Sequence, residues 1–138
     1  MSKEIGDLAL DSNAVIAYFQ DDENIAAWIE ASDALFFPVI VVGELEYDAL
    51  HSSRPKKNLK RLMSFLEQGS IADVTVDTAG KYAEVRQALA IRGKPIPEAD
   101  LWIAAICLEN GLPLLSDDTH FRLVPGLKWF DWTKPIPT

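Results

Sequence analysis

Short apolar runs alternate along this chain with stretches whose apolar residues recur every three to four positions. The run "LAL" (Leu8–Leu10) reads as a buried strand ending at Asp11, and "SNAVIAYF" starts a helix behind it. "NIAAWIEA" places Ile25, Trp28 and Ile29 on one helical stripe, and "ALFFP" is a strand stopped by Pro38. "VIVVGELEYDAL" begins β-branched and is expected to turn helical near Val41. "NLKRLMSFLEQG" reads as a helix closed by Gly69, and "IADVTV" as a strand. Two more helices are expected, from Thr78 to a stop at Gly93, and from the neighbourhood of Pro97 to Gly111. "LPLLS" and "LKWF" complete the strands. Strands that alternate with helices imply parallel pairing with helical crossovers, so the expected fold is α/β, a three-layer α/β/α sandwich around a mostly parallel sheet.

The 138 residues suit one domain over 1–138, and 49% hydrophobic residues suffice for one core. One cysteine, Cys107, rules out an intrachain disulfide, fits a reducing compartment, and is expected to be packing. The N-terminus shows no signal-peptide pattern, and no apolar run nears the roughly 20 residues that span a bilayer. A soluble cytoplasmic chain with no membrane partner is therefore expected. The net charge of −8 opposes a broad electrostatic grip on nucleic acid. One segment departs from it: "RPKKNLKR" holds five of the thirteen basic residues, Arg54, Lys56, Lys57, Lys60 and Arg61. It reads equally as a solvated helix start or as a phosphate-contacting patch.

In such a fold the strand C-termini and the starts of neighbouring helices share one rim, where ligands bind. Acids from four segments fall there: Asp11 after the first strand, Glu44 in about the first turn after the second, Asp100 in the first turn of its helix, and Asp117 with Asp118 after the fourth. Each has an ordinary explanation alone, as a helix cap, a dipole partner or a turn residue. Asp100 resists it best. At about 100° per residue, Glu98 and Glu109 share one helix face, while Asp100 lies roughly 200° away with Ile103, Ala104 and Cys107. Glu44 and Glu46 are likewise about 200° apart, so only one can serve a rim site, and Glu44 is the nearer. On an extended strand Asp117 and Asp118 point to opposite sides, and Ser116 shares the side of Asp118.

Carboxylates crowded without a cation repel one another and drive protonation. A hard divalent ion relieves this, and an oxygen-only donor set selects Mg²⁺ or Mn²⁺ over zinc. Such an ion promotes phosphodiester hydrolysis without a nucleophilic side chain. The two histidines, His51 and His120, carry no zinc-site spacing.

The blocks "LALDSNAVIAYF", "VVGELEYDAL", "GKPIPEADLWIAA" and "LLSDDTHFRLVPGLKW" resemble, in order, the motifs of PIN-domain nucleases, most like VapC-type toxins of toxin–antitoxin pairs. That resemblance covers nearly the whole chain. It implies a five-stranded parallel sheet and a Mg²⁺- or Mn²⁺-dependent ribonuclease, a homodimer held inactive by a cognate antitoxin. It places the catalytic and metal-binding acids at Asp11, Glu44, Asp100 and Asp118, with Ser116 completing a Ser-x-Asp pattern and Asn13 orienting the first carboxylate. Asp117 then stands beside the ligands rather than among them. Two positions depart from the pattern: Asp48 replaces a small residue, and His120 stands where many relatives carry another acid.

Other classes stay open on sequence. A haloacid-dehalogenase-type phosphatase requires Asp-x-Asp after the first strand, whereas Asn13 occupies the second position. A phospho-receiver domain requires paired acids there and a late lysine, and neither is evident. A non-catalytic module could keep the acids for metal-dependent structure or for docking a basic antitoxin segment.

Overall fold

The computed structural model describes residues 5–137. The elements run β1 (Gly6–Leu10), α1 (Ser12–Phe19), α2 (Glu23–Ala31), β2 (Ser32–Pro38), α3 (Val39–Leu50), α4 (Pro55–Leu66), β3 (Ser70–Ala72), α5 (Val76–Ile91), α6 (Glu98–Asn110), β4 (Leu114–Leu115), a 3₁₀ turn (Thr119–Leu123) and β5 (Trp129–Phe130). The five strands form one sheet in the order β3-β2-β1-β4-β5, and every neighbouring pair is parallel. Successive residues of β1 point to opposite faces. Leu8, Ala9 and Leu10 are all fully buried, so helices cover the sheet on both sides.

The chain winds outward from β1 through β2 to β3, then returns to the other side of β1 as β4 and β5. The switch point therefore lies between β1 and β4, and their C-terminal ends open the crevice where such sheets bind ligands. Both strands run into acids there, β1 into Asp11 and β4, through Ser116, into Asp117 and Asp118.

Several element boundaries differ from the sequence expectation. Helix α3 starts at Val39, directly after the strand, because Val41, Val42, Leu45 and Ala49 form its buried stripe and packing overrides the β preference of "VIVV". The third strand stops at Ala72. Thr75 then caps α5 in a reciprocal box with Thr78, so this helix begins at Val76. Gly69 does not close α4, which ends at Leu66. Its missing side chain serves a close approach, since a Cβ there would lie 2.4 Å from the Leu35 carbonyl oxygen. Gly111 does end α6 in the left-handed conformation, at φ +64°.

Candidate metal centre

The register of the two central strands builds the first half of the site. Leu10 pairs with Leu115, which places Asp11 beside Ser116 one step further along. Asp11 is buried at 3% exposure and caps α1, its Oδ1 accepting from the Ser12 backbone N–H at 2.8 Å. Its Oδ2 accepts from Ser116 Oγ at 2.7 Å and from Asn13 Nδ2 at 3.2 Å. The Ser116 hydroxyl is itself fully used. It donates to Asp11 and accepts from Asn13 Nδ2 and from the Asp118 N–H, both at 3.1 Å.

Asn13 can sit only one way round. Its Oδ1 accepts from the Asp117 N–H at 3.0 Å and from Trp132 Nε1 at 2.8 Å, and both partners are donors only. Its Nδ2 therefore faces the acceptor-only carboxylate of Asp11. Trp132 is a buried residue of the C-terminal segment, and nothing local in the sequence marked it for this role. The indole of Trp129 likewise donates to the Ser116 carbonyl at 3.0 Å.

Glu44 comes from the second turn of α3, slightly deeper than expected, and is half-buried. Its Oε1 accepts from Ser12 Oγ at 2.7 Å, so adjacent residues at the start of α1 hold two acids, Ser12 and Asn13 together ordering Asp11 and Glu44. Asp100 lies in the first turn of α6 with its side chain 14% exposed, on the inward face that helical spacing implied. Glu98 and Glu109 lie on the solvent-accessible side of α6 and reach toward α5. Glu98 accepts from Tyr82, and Glu109 accepts from Thr75 and Thr78 at the α5 N-terminus.

Asp118 precedes the 3₁₀ turn and is half-buried, whereas Asp117 is exposed. Asp100, Asp118 and His120 each offer one ligand atom, all within 4.8 Å of one another. The structure thus draws the late acids into ligand-distance contact with a histidine, while Asp11 and Glu44 join them through their charge. Glu46, Asp48 and His51 stay outside the cluster; His51 stacks on Tyr47 at 4.0 Å.

The electrostatics match a site short of positive charge. Burial pushes the Asp11 carboxyl up to about 6; hydrogen bonds from Ser116 and Ser12 oppose that shift, and the charges of Asp100 and Glu44 add to it. Burial also raises Asp100, opposed by His120 and reinforced by Asp118 and Glu44. Asp117 is raised by partial burial and by the charges of Asp118 and Asp131. Among the described residues no lysine or arginine forms an ion pair with any of these acids. Cys107 is buried, with its thiol pushed up by burial and by Asp11, as a packing residue would be. Several carboxylates with no lysine or arginine among them, and a single imidazole nitrogen paired with Asp100, suit a divalent ion.

The PIN-domain family model matches residues 8–127. The chain belongs to the PIN-domain family. It is 29% identical over 126 residues to Ribonuclease VapC2 of Haemophilus influenzae, covering 89% of this chain and 96% of that protein. It is 30% identical over 95 residues to the tRNA(fMet)-specific endonuclease VapC of Shigella flexneri, covering 68% of this chain and 72% of the relative. The fold matches that of VapBC2 from Rickettsia felis bound to a promoter DNA fragment, with a TM-score of 0.85 at 23% identity over 91% of this chain and 98% of that one. The five-stranded parallel sheet expected from the PIN resemblance is the sheet observed.

Proposed function

We propose that this PIN-domain protein is a metal-dependent endoribonuclease and the toxin of a toxin–antitoxin pair, with Asp11, Glu44, Asp100 and Asp118 as its working acids and Mg²⁺ or Mn²⁺ as its ion. The observation that carries the reading is the convergence of these four acids on the β1–β4 switch point without a lysine or arginine partner. The VapC names of its relatives point to the same activity, and the tRNA(fMet)-specific Shigella relative makes tRNA the first substrate to try.

When bound, a divalent ion supplies a water of lowered pKa and steadies charge on the departing oxygen. The chain's own groups fix where that chemistry happens. Hydrogen bonds from Ser12, Asn13 and Ser116 orient Asp11 in its buried position, and those from Ser116 and Ser12 oppose its protonation. The Ser12 hydroxyl holds Glu44, and the α6 first turn presents Asp100 toward Asp118. An acid that stays deprotonated despite burial can accept a proton from attacking water, and no serine, cysteine or histidine nucleophile is needed.

The neighbour solved as a VapBC complex supports an antitoxin as partner, and the family resemblance supports a homodimer. The clustered positive charge of Arg54, Lys56, Lys57, Lys60 and Arg61 is what supports an RNA contact there. The test is purified protein incubated with tRNA and mRNA in EDTA, then with Mg²⁺ or Mn²⁺ restored. Cleavage only with the ion is expected. Full cleavage in EDTA overturns the mechanism, and no cleavage with either ion favours a non-catalytic module. A solution mass of twice 15.3 kDa by light scattering checks the dimer.

A further inference from the structure

The histidine that departs from the acidic pattern is the strongest unexplained feature of the site. His120 Nε2 is buried and pairs with Asp100 Oδ2 at 2.8 Å, opposing the rise of that carboxyl, yet it makes no well-aligned hydrogen bond among the described residues. An imidazole meant only to neutralise Asp100 would point its N–H along the contact, because a buried donor without a partner is costly. The ring is half-buried. It follows Asp118 on the tight 3₁₀ turn, next to a fully buried Phe121, with the two rings 4.8 Å apart. Asp118 is anchored through its N–H on Ser116, and Asp100 is set by α6. Two rigid elements thus bring one nitrogen and two carboxylate oxygens to within 4.8 Å of one another.

We propose that His120 Nε2 is a direct ligand of the ion alongside Asp100 and Asp118, and that this nitrogen makes the site prefer Mn²⁺ over Mg²⁺. The inference rests on the metal-dependent reading above. Mg²⁺ holds to oxygen donors and gives up water reluctantly, whereas imidazole strengthens binding of first-row transition ions. A purely acidic site would discriminate little between the two ions. Replacing one acid by an imidazole tilts the choice.

The experiment uses the full chain and Mn²⁺ alone. Pulsed EPR of bound Mn²⁺ should show ¹⁴N modulation from a directly bound imidazole, absent in His120→Glu, which restores an oxygen donor. Calorimetric titrations of Mn²⁺ and Mg²⁺ should show the ratio of their affinities falling at least about tenfold in the variant. Mn²⁺ bound without nitrogen modulation, or an unchanged affinity ratio, overturns the proposal and leaves His120 as a neighbour of Asp100 only. Failure of Mn²⁺ to bind the wild-type chain removes the metal reading along with it, which separates the two failures. If His120→Glu does not fold by circular dichroism, the wild-type nitrogen signal decides alone.

Discussion

Trp132 donates its indole N–H to Asn13 Oδ1 at 2.8 Å, joining residues 119 apart in sequence. Together with the Asp117 N–H, the bond fixes which end of the Asn13 amide meets Asp11. Trp132→Phe keeps the buried ring and removes only the donor. The expected cost in stability is about 1 kcal/mol, since the Asp117 N–H still satisfies that oxygen. Mn²⁺ affinity should fall severalfold and the Asn13 side-chain NH₂ resonances should shift. Unaltered resonances and affinity would make Trp132 a packing residue.

Asp118 and Asp117 are adjacent but face different partners. Asp118 shares ligand distance with Asp100 and His120, whereas Asp117 is exposed and feels Asp131. Asp118→Asn should abolish RNA cleavage at saturating Mn²⁺, and Asp117→Asn should cost about 10–100-fold at most. A dead Asp117→Asn beside an active Asp118→Asn reverses the assignment.

The acids should make the metal-free protein pH-sensitive. Asp11 has its folded pKa raised from 3.8 to about 6, so the folded state binds the proton more tightly than the unfolded chain. Stability is then lost as pH rises from about 4 through 6, by about 3 kcal/mol from this group. The raised Asp100 acts in the same direction. Melting in EDTA should occur at a lower temperature at pH 7 than at pH 5, and Mn²⁺ should reverse the loss at pH 7. A flat profile would show that burial does not raise the Asp11 and Asp100 carboxyls.

The basic segment divides into two parts. Arg61 donates to the Phe19 carbonyl at 2.7 Å and lies 4.4 Å over the Phe19 ring, tying α4 to the end of α1. Arg61→Ala should therefore lower stability by about 1 kcal/mol. Lys56, Lys57 and Lys60 are exposed and make no ion pair among the described residues. Charge reversal of Lys56 and Lys57 should flatten the salt dependence of RNA binding by about one to two counterions. An unchanged slope leaves this face outside the RNA path.

The order of strands and helices is legible in the sequence, because apolar periodicity and stop residues act over a few positions. The sequence also placed Asp11, Asp100 and Asp118 at element ends, and it put Asp100 on the inward face of α6 through helical geometry alone. Local pattern misjudged the starts of α3 and α5, where burial of Val41 and the Thr75 cap outweighed β propensity. How the acids are held emerges only from long-range contacts. The Leu10–Leu115 register puts Ser116 against Asp11, the C-terminal Trp132 turns Asn13, and the 3₁₀ turn swings His120 to Asp100. These contacts join segments up to 119 residues apart, and their partners are chosen by strand register and packing direction, which no short window of sequence encodes.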